Sequence, residues 1–157
     1  MTTNNEFEFN QFPVHRPEKL AKLDPRESRI TIAAGAMIFS KNKLLLNRSD
    51  SSDLWSIPGG IITFTESSEQ AVIREIKEEL NLEVTIVDPL PYVFSFDIES
   101  ENAVDKIVLL HFLAKVKPDG KIVMGDGVAD YKWESIASAF RDCYPNVKPA
   151  VDHFMNI

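Results

Sequence analysis

At 157 residues, 44% hydrophobic and 26% charged, the chain fits one ordinary globular domain that can build its own core. Its longest apolar runs, 32–39 and 107–114, fall far short of the roughly 20 residues of a membrane span, and a net charge of −7 argues against nucleic acid as a partner. The single cysteine, Cys143, excludes an internal disulfide and a Cys-cluster zinc site and is read as a packed or surface thiol; a first segment without a basic-then-apolar pattern makes the cytoplasm the expected location.

Residues 1–28 form a polar arm punctuated by Pro13, Pro17 and Pro25. The arm carries Phe7, Phe9 and Phe12, each of which gains about 1.5–3 kcal/mol by full burial. It is therefore expected to be ordered, across its own domain or, by preference, across a symmetric partner in a homodimer; a loose tail is the alternative. Residues 29–157 form the domain. Strands are predicted at 30–39 and 43–48, joined by a turn at Ser40-Lys41-Asn42. A polar loop and an extended stretch at 54–57 lead to Pro58-Gly59-Gly60, which breaks the pattern. Ser67 with Gln70 three residues on is a capping box, so a helix is predicted from Ser68 to Leu80. Strands follow at 84–87, 92–97 and 107–116, then a turn at Asp119-Gly120 and an extended piece at 131–133. Helical segments are expected at 135–141 and 147–155. The fold class is α/β: a mixed, largely antiparallel sheet with helices packed on it.

The helix at 68–80 carries the chemistry. At about 100° per residue, Val72, Ile73, Ile76 and Leu80 share a core-facing arc, while Glu75, Glu78 and Glu79 share another with Ala71 among them. Ala71 in that arc leaves space for a bulky ligand. Three carboxylates so close repel one another, and two sit in the last turn, where the macrodipole disfavours them. Arg74 offsets part of this through an i+4 pair with Glu78. On the helix alone, a solvated acidic face explains such a cluster better than a carboxylate cage for a hard cation such as Mg²⁺ does. Gly59-Gly60 ahead of the helix shifts the balance, because a glycine lets backbone approach a ligand and present its carbonyl.

The stretch 60–82 resembles the Nudix box: a glycine, a glutamate six residues on, then Arg-Glu-apolar-x-Glu-Glu-x-Gly-apolar. The matching positions are Gly60, Glu66, Arg74, Glu75, Ile76, Glu78, Glu79 and Leu82. Asn81 departs where the family has glycine, mildly, since asparagine is the next best left-handed helix cap. The lead-in through Trp55-Ser56-Ile57-Pro58 and the later Asp130–Ile136 stretch also look like the family, so the resemblance covers roughly 29–140. It implies a Nudix (MutT-like) fold, its sheet sandwiched between helices. It implies a hydrolase, dependent on Mg²⁺ or Mn²⁺, that cleaves a diphosphate linkage in a small nucleotide-like substrate: a nucleoside triphosphate, a nucleotide sugar such as ADP-ribose, or similar. Glu75, Glu78 and Glu79 would ligate metal, with one of them acting instead as base. The Gly60 carbonyl would join the metal shell, Arg74 would orient Glu75, and Glu66 would support the cluster. A downstream acid, Asp126 or Asp130, would assist.

Other residues say less. Arg48 is a candidate for phosphate and Trp55, Phe94 and Phe96 for base stacking, set against solvated and core roles. His111, in an apolar strand, is read as a satisfied structural histidine. Two non-hydrolytic alternatives stand beside the enzyme. A binding module would usually have lost glutamates from the box, and this chain retains them. An isoprenoid-diphosphate isomerase would need a nearby cysteine, which Cys143 fits poorly.

Overall fold

The computed structural model describes residues 29–99, 101 and 103–156. The arm expected at 1–28 lies outside the described residues.

The strands are β1 (Ile30–Ser40), β2 (Lys43–Ser49), β3 (Gly59–Ile61), β4 (Val84–Ile86), β5 (Tyr92–Glu99), β6 (Val104–Val116) and β7 (Val128–Ser135), with helices α1 (Ser68–Leu80) and α2 (Val147–Met155). They form one sheet whose main path runs β4-β6-β1-β2-β7. β1 and β6 pair in parallel from Ile30 opposite Lys106 to Ile38 opposite Ala114, while the other pairings between these strands are antiparallel. A mixed, largely antiparallel sheet is thus what the chain builds. Lys41, at φ 55°, makes the tight β1–β2 turn.

The period-2 alternation of the strands divides the core in two. Ala34, Ala36 and Ile38 of β1, with Leu45 and Phe112, pack against Val72, Ile76 and Leu80 of α1. Met37, Leu44 and Leu46 point the other way, onto Val147, Ala150 and Val151 of α2. The alanines of β1 hold α1 close to the sheet and so fix the height of its acidic edge.

Helix α1 has the predicted bounds. The Ser67 side chain accepts from the Gln70 N–H and the Gln70 side chain accepts from the Ser67 N–H, the reciprocal capping box. Asn81 closes the helix at φ 55°, ψ 25°, its N–H bonded to the Lys77 carbonyl.

Three sequence expectations are corrected. Residues 135–141 are not a helix: the Ser135 and Ser138 hydroxyls accept from the Ala137 and Phe140 amides, and Phe140 adopts φ 49°. Serine side chains that bond nearby backbone compete with helix formation. Gly59–Ile61 is a strand, paired with Ala33–Gly35. On α1, Ala71 is fully buried and Ile73 is exposed, so Ala71 offers no space to a ligand. Among the described residues no helix is long and apolar enough to cross a membrane.

Candidate active site

Arg74, at the middle of α1, organises the acidic residues. Its Nε and Nη2 donate to the two Glu66 oxygens at 2.9 and 2.8 Å, a two-pronged carboxylate clamp. Nη1 is shared between Glu75 at 2.8 Å and Glu78 at 3.2 Å, and Nη2 also reaches the Ile61 carbonyl. The clamp, with the Thr63 N–H, lowers the Glu66 carboxyl to about 2. The same contacts raise the Arg74 guanidinium, which is permanently charged.

Glu79 belongs to a different environment. One oxygen accepts from the Gly59 N–H at 3.0 Å and from the Asn47 side-chain amide at 2.9 Å. Asn47 is itself held by Ser56, whose hydroxyl donates to Asn47 Oδ1 at 3.0 Å. Burial outweighs these bonds and, with the nearby Glu75 and Glu78 charges, pushes the Glu79 carboxyl up to about 7. Sequence reasoning missed Asn47 and Ser56. The signal was there: Asn47 ends the apolar run Leu44-Leu45-Leu46 on a strand where a polar residue must have a partner.

Gly60 lies against Glu75, and a Cβ on it would fall 2.4 Å from that carboxylate. The glycine therefore admits the carboxylate to the backbone. The donor set of carboxylates and carbonyls is all oxygen and suits a hard divalent cation such as Mg²⁺ or Mn²⁺. The three glutamates do not converge on one point in this structure. Glu75 and Glu78 turn towards Arg74, while Glu79 turns towards Gly59 and Asn47.

The two downstream acids are placed differently. The 121–127 loop ties onto the C-terminal end of α1: the Val123 N–H bonds the Leu80 carbonyl and the Gly125 N–H the Glu79 carbonyl. These bonds satisfy carbonyls that a helix end leaves without partners. Gly125 sits so close that a Cβ would lie 1.9 Å from the Glu78 carbonyl oxygen. Asp126 follows it directly, exposed beside the acidic helix end. Asp130 sits on β7 opposite Arg48, its carboxylate accepting from the Tyr131 N–H.

On the opposite side of Gly59 and Gly60 the α2 face of the sheet opens into a cleft of about 220 Å³. Ile57, Phe96, Ile107 and Leu109 supply apolar wall, and Ser56, His111, Tyr144 and Asn146 its polar groups. Phe96 is thus a wall residue, while Phe94 packs beside it at 6.3 Å between ring centroids. Arg48 and Trp55 do not line this cleft. The Trp55 ring carries Lys132 Nζ at 4.5 Å and the Arg48 guanidinium at 5.5 Å from its centroid, a cation–π arrangement. Cys143 packs with the α2 core, and burial raises its thiol. His111 is satisfied on both ring nitrogens, as a structural histidine should be.

Comparison with known proteins agrees with this architecture. An RNA pyrophosphohydrolase from a Nitratiruptor species is 36% identical over 81 residues, covering 48% of this chain and 52% of that protein. A CTP pyrophosphohydrolase from Escherichia coli is 36% identical over 80 residues, covering 48% and 55%. The chain spans about half the length of these two relatives. Among solved structures, a MutT NUDIX hydrolase from Burkholderia pseudomallei superposes with a TM-score of 0.63 at 23% identity, over 78% of this chain and 96% of that one, which shows a shared fold. The family model of the NUDIX domain matches residues 29–154, everything but the arm and the last three residues, and the chain belongs to that family.

Proposed function

We propose that the protein hydrolyses the diphosphate linkage of a nucleoside diphosphate derivative with the help of a divalent cation. One observation carries the reading: Gly59-Gly60 has the Glu75 and Glu79 carboxylates on one side and the apolar cleft on the other. A diphosphate there has oxygen ligands for its counter-cation within reach while its nucleoside lies in the cleft. The names of the two relatives, both pyrophosphohydrolases, support the reaction class. Their substrates differ, so the substrate among nucleoside triphosphates, nucleotide sugars and similar compounds is set by the cleft.

Glu75, Glu78 and Glu79, with the Gly60 carbonyl, would hold the cation. A bound cation supplies neutralisation of the phosphate charge and a water of lowered pKa. A carboxylate of the cluster accepts the proton of the attacking water. Arg74 holds Glu75 and Glu78 through one shared nitrogen, and Glu66 fixes Arg74, so Glu75 and Glu78 would turn from Arg74 to meet the cation. Asp126 is the downstream acid, because Gly125 is bonded to the helix that carries the glutamates. The arm serves a homodimer, and the enzyme works in the cytoplasm. A box that keeps all its glutamates argues against a binding module, and the packing of Cys143 against the α2 core argues against the isomerase.

The test is phosphate or pyrophosphate release over a panel of nucleoside triphosphates, nucleotide sugars, dinucleoside polyphosphates and a 5′-triphosphorylated RNA, with Mg²⁺, with Mn²⁺ and with excess chelator. Hydrolysis that stops with chelator and returns with cation is expected. Full activity in chelator overturns the cation's role, and no hydrolysis of any compound overturns the function.

A further inference from the structure

The cleft is lined by two buried polar side chains, His111 at 2% and Asn146 at 5% exposure. His111 Nδ1 lies 3.2 Å from the Tyr92 carbonyl oxygen, which only accepts, so Nδ1 carries the ring proton. Burial lowers the ring to about 4, so it is neutral near pH 7 and Nε2 presents a lone pair. Asn146 Nδ2, 2.8 Å away, therefore donates to Nε2. A reversed amide would set oxygen against that lone pair, so the relay from Tyr92 through His111 locks the orientation of the Asn146 amide. Asn146 stands at the start of α2, yet its side chain makes no capping bond to the helix. Its Oδ1 has no hydrogen-bond partner among the described residues. The relay holds a fixed acceptor, beside the second amide N–H, in the lining of a largely apolar cleft.

We propose that Asn146 reads the hydrogen-bonding edge of the substrate's base and that His111 is its positioning residue. This rests on the nucleotide-hydrolase reading above and assigns its base selectivity. The ligand class is a planar nucleobase with an N–H donor on its edge, held between the walls formed by Ile57, Phe96 and Leu109. Buried polar groups left unpaired by a wrong partner discriminate more strongly than apolar walls do.

The experiment is calorimetric binding of the four common nucleoside monophosphates, which does not depend on turnover, alongside kcat and KM for the matching triphosphates. The wild-type protein is expected to prefer one base over the poorest by about tenfold or more, the scale of one well-placed hydrogen bond. Asn146→Leu and His111→Leu should cut that ratio to about threefold or less by weakening the preferred base alone. His111→Gln, which keeps an acceptor for Asn146, should retain most of it. A general structural defect would instead lower kcat for every base together. Wild-type binding that is even across the bases, or absent, overturns the proposal, as does selectivity that survives Asn146→Leu. Selective, Asn146-dependent binding without hydrolysis sustains the proposal and removes the enzymatic reading instead. If the leucine variants do not fold, the Asn146 side-chain amide resonance decides. It should shift with the preferred monophosphate and not with inorganic phosphate, and a resonance that ignores the nucleotide overturns the proposal.

Discussion

Arg74 spends its guanidinium on three glutamates, and the consequences differ for each. Glu66 is clamped by two nitrogens, whereas Glu75 and Glu78 share one, so these two have more freedom to turn towards a cation. Replacing Glu78 or Glu79 by Gln removes charge at constant size. Turnover should fall about a hundredfold or more, as when other major electrostatic contributors are removed. Steady-state kinetics on the best substrate of the panel checks this, and near-normal turnover in both variants would mark the cluster as a solvated face. The pH dependence of stability separates the residues further. Glu79 has a folded pKa raised to about 7 from 4.5, so the folded state binds its proton more tightly. Its contribution is complete below about 4.5 and is lost as pH rises through 7. Glu66 is the opposite, with a folded pKa near 2: its contribution is present above 4.5 and disappears as pH falls through 2. In chelator, Glu79→Gln should therefore gain stability relative to wild type between pH 5 and pH 8. Urea denaturation at both values measures this, and a constant difference would contradict the burial assigned to Glu79.

Helix α1 and the 121–127 loop act as one element, because the loop's amides occupy the carbonyls at the helix end. Gly125→Ala would press a methyl against the Glu78 carbonyl, so it should destabilise by about 1–3 kcal/mol and lower activity. Asn81→Gly should be neutral or mildly stabilising, since the position is already left-handed. Thermal melts of both variants test the pair, and a neutral Gly125→Ala would deny the close approach. This element also shows what was legible in the sequence. The bounds of α1 were readable because the capping box, the apolar arc and the Asn81 cap are all local. Strand β3 was not, because three residues of Gly-Gly-Ile become a strand only when β1 lies alongside. Nor was the end of residues 135–141, where helix-compatible residues are diverted by serine hydroxyls. The carboxylates could be named from spacing, whereas Asn47, Ser56 and Asn146 are joined to the site by tertiary contacts between distant parts of the chain.

For the molecule as a whole, the sheet separates two tasks: α1 presents charge on one face, and the α2 side encloses the cleft on the other. Ile30 and Ile32, at the start of β1, remain 71% and 44% exposed, and the 28-residue arm precedes them in sequence. An arm that joins two copies should lower the solution mass from dimer to monomer when residues 1–28 are deleted, and its amides should resist hydrogen exchange in the intact protein. Free exchange with no change of mass would make it a tail.

The parallel pairing of β1 with β6 sets the order in which this molecule can be made. The bond from the Arg29 N–H to Asp105 spans 76 positions, and no nearer strand takes the place of β6 beside β1. As the chain leaves the ribosome, the β1–β2 hairpin, β3 and α1 are synthesised while the central neighbour of β1 does not yet exist. Closing so long a loop delays the rewarding contacts, and until then the Ala34, Ala36 and Ile38 face has only part of its sheet. A chain cut short before β6 is therefore prone to association through its unpaired β1 edge.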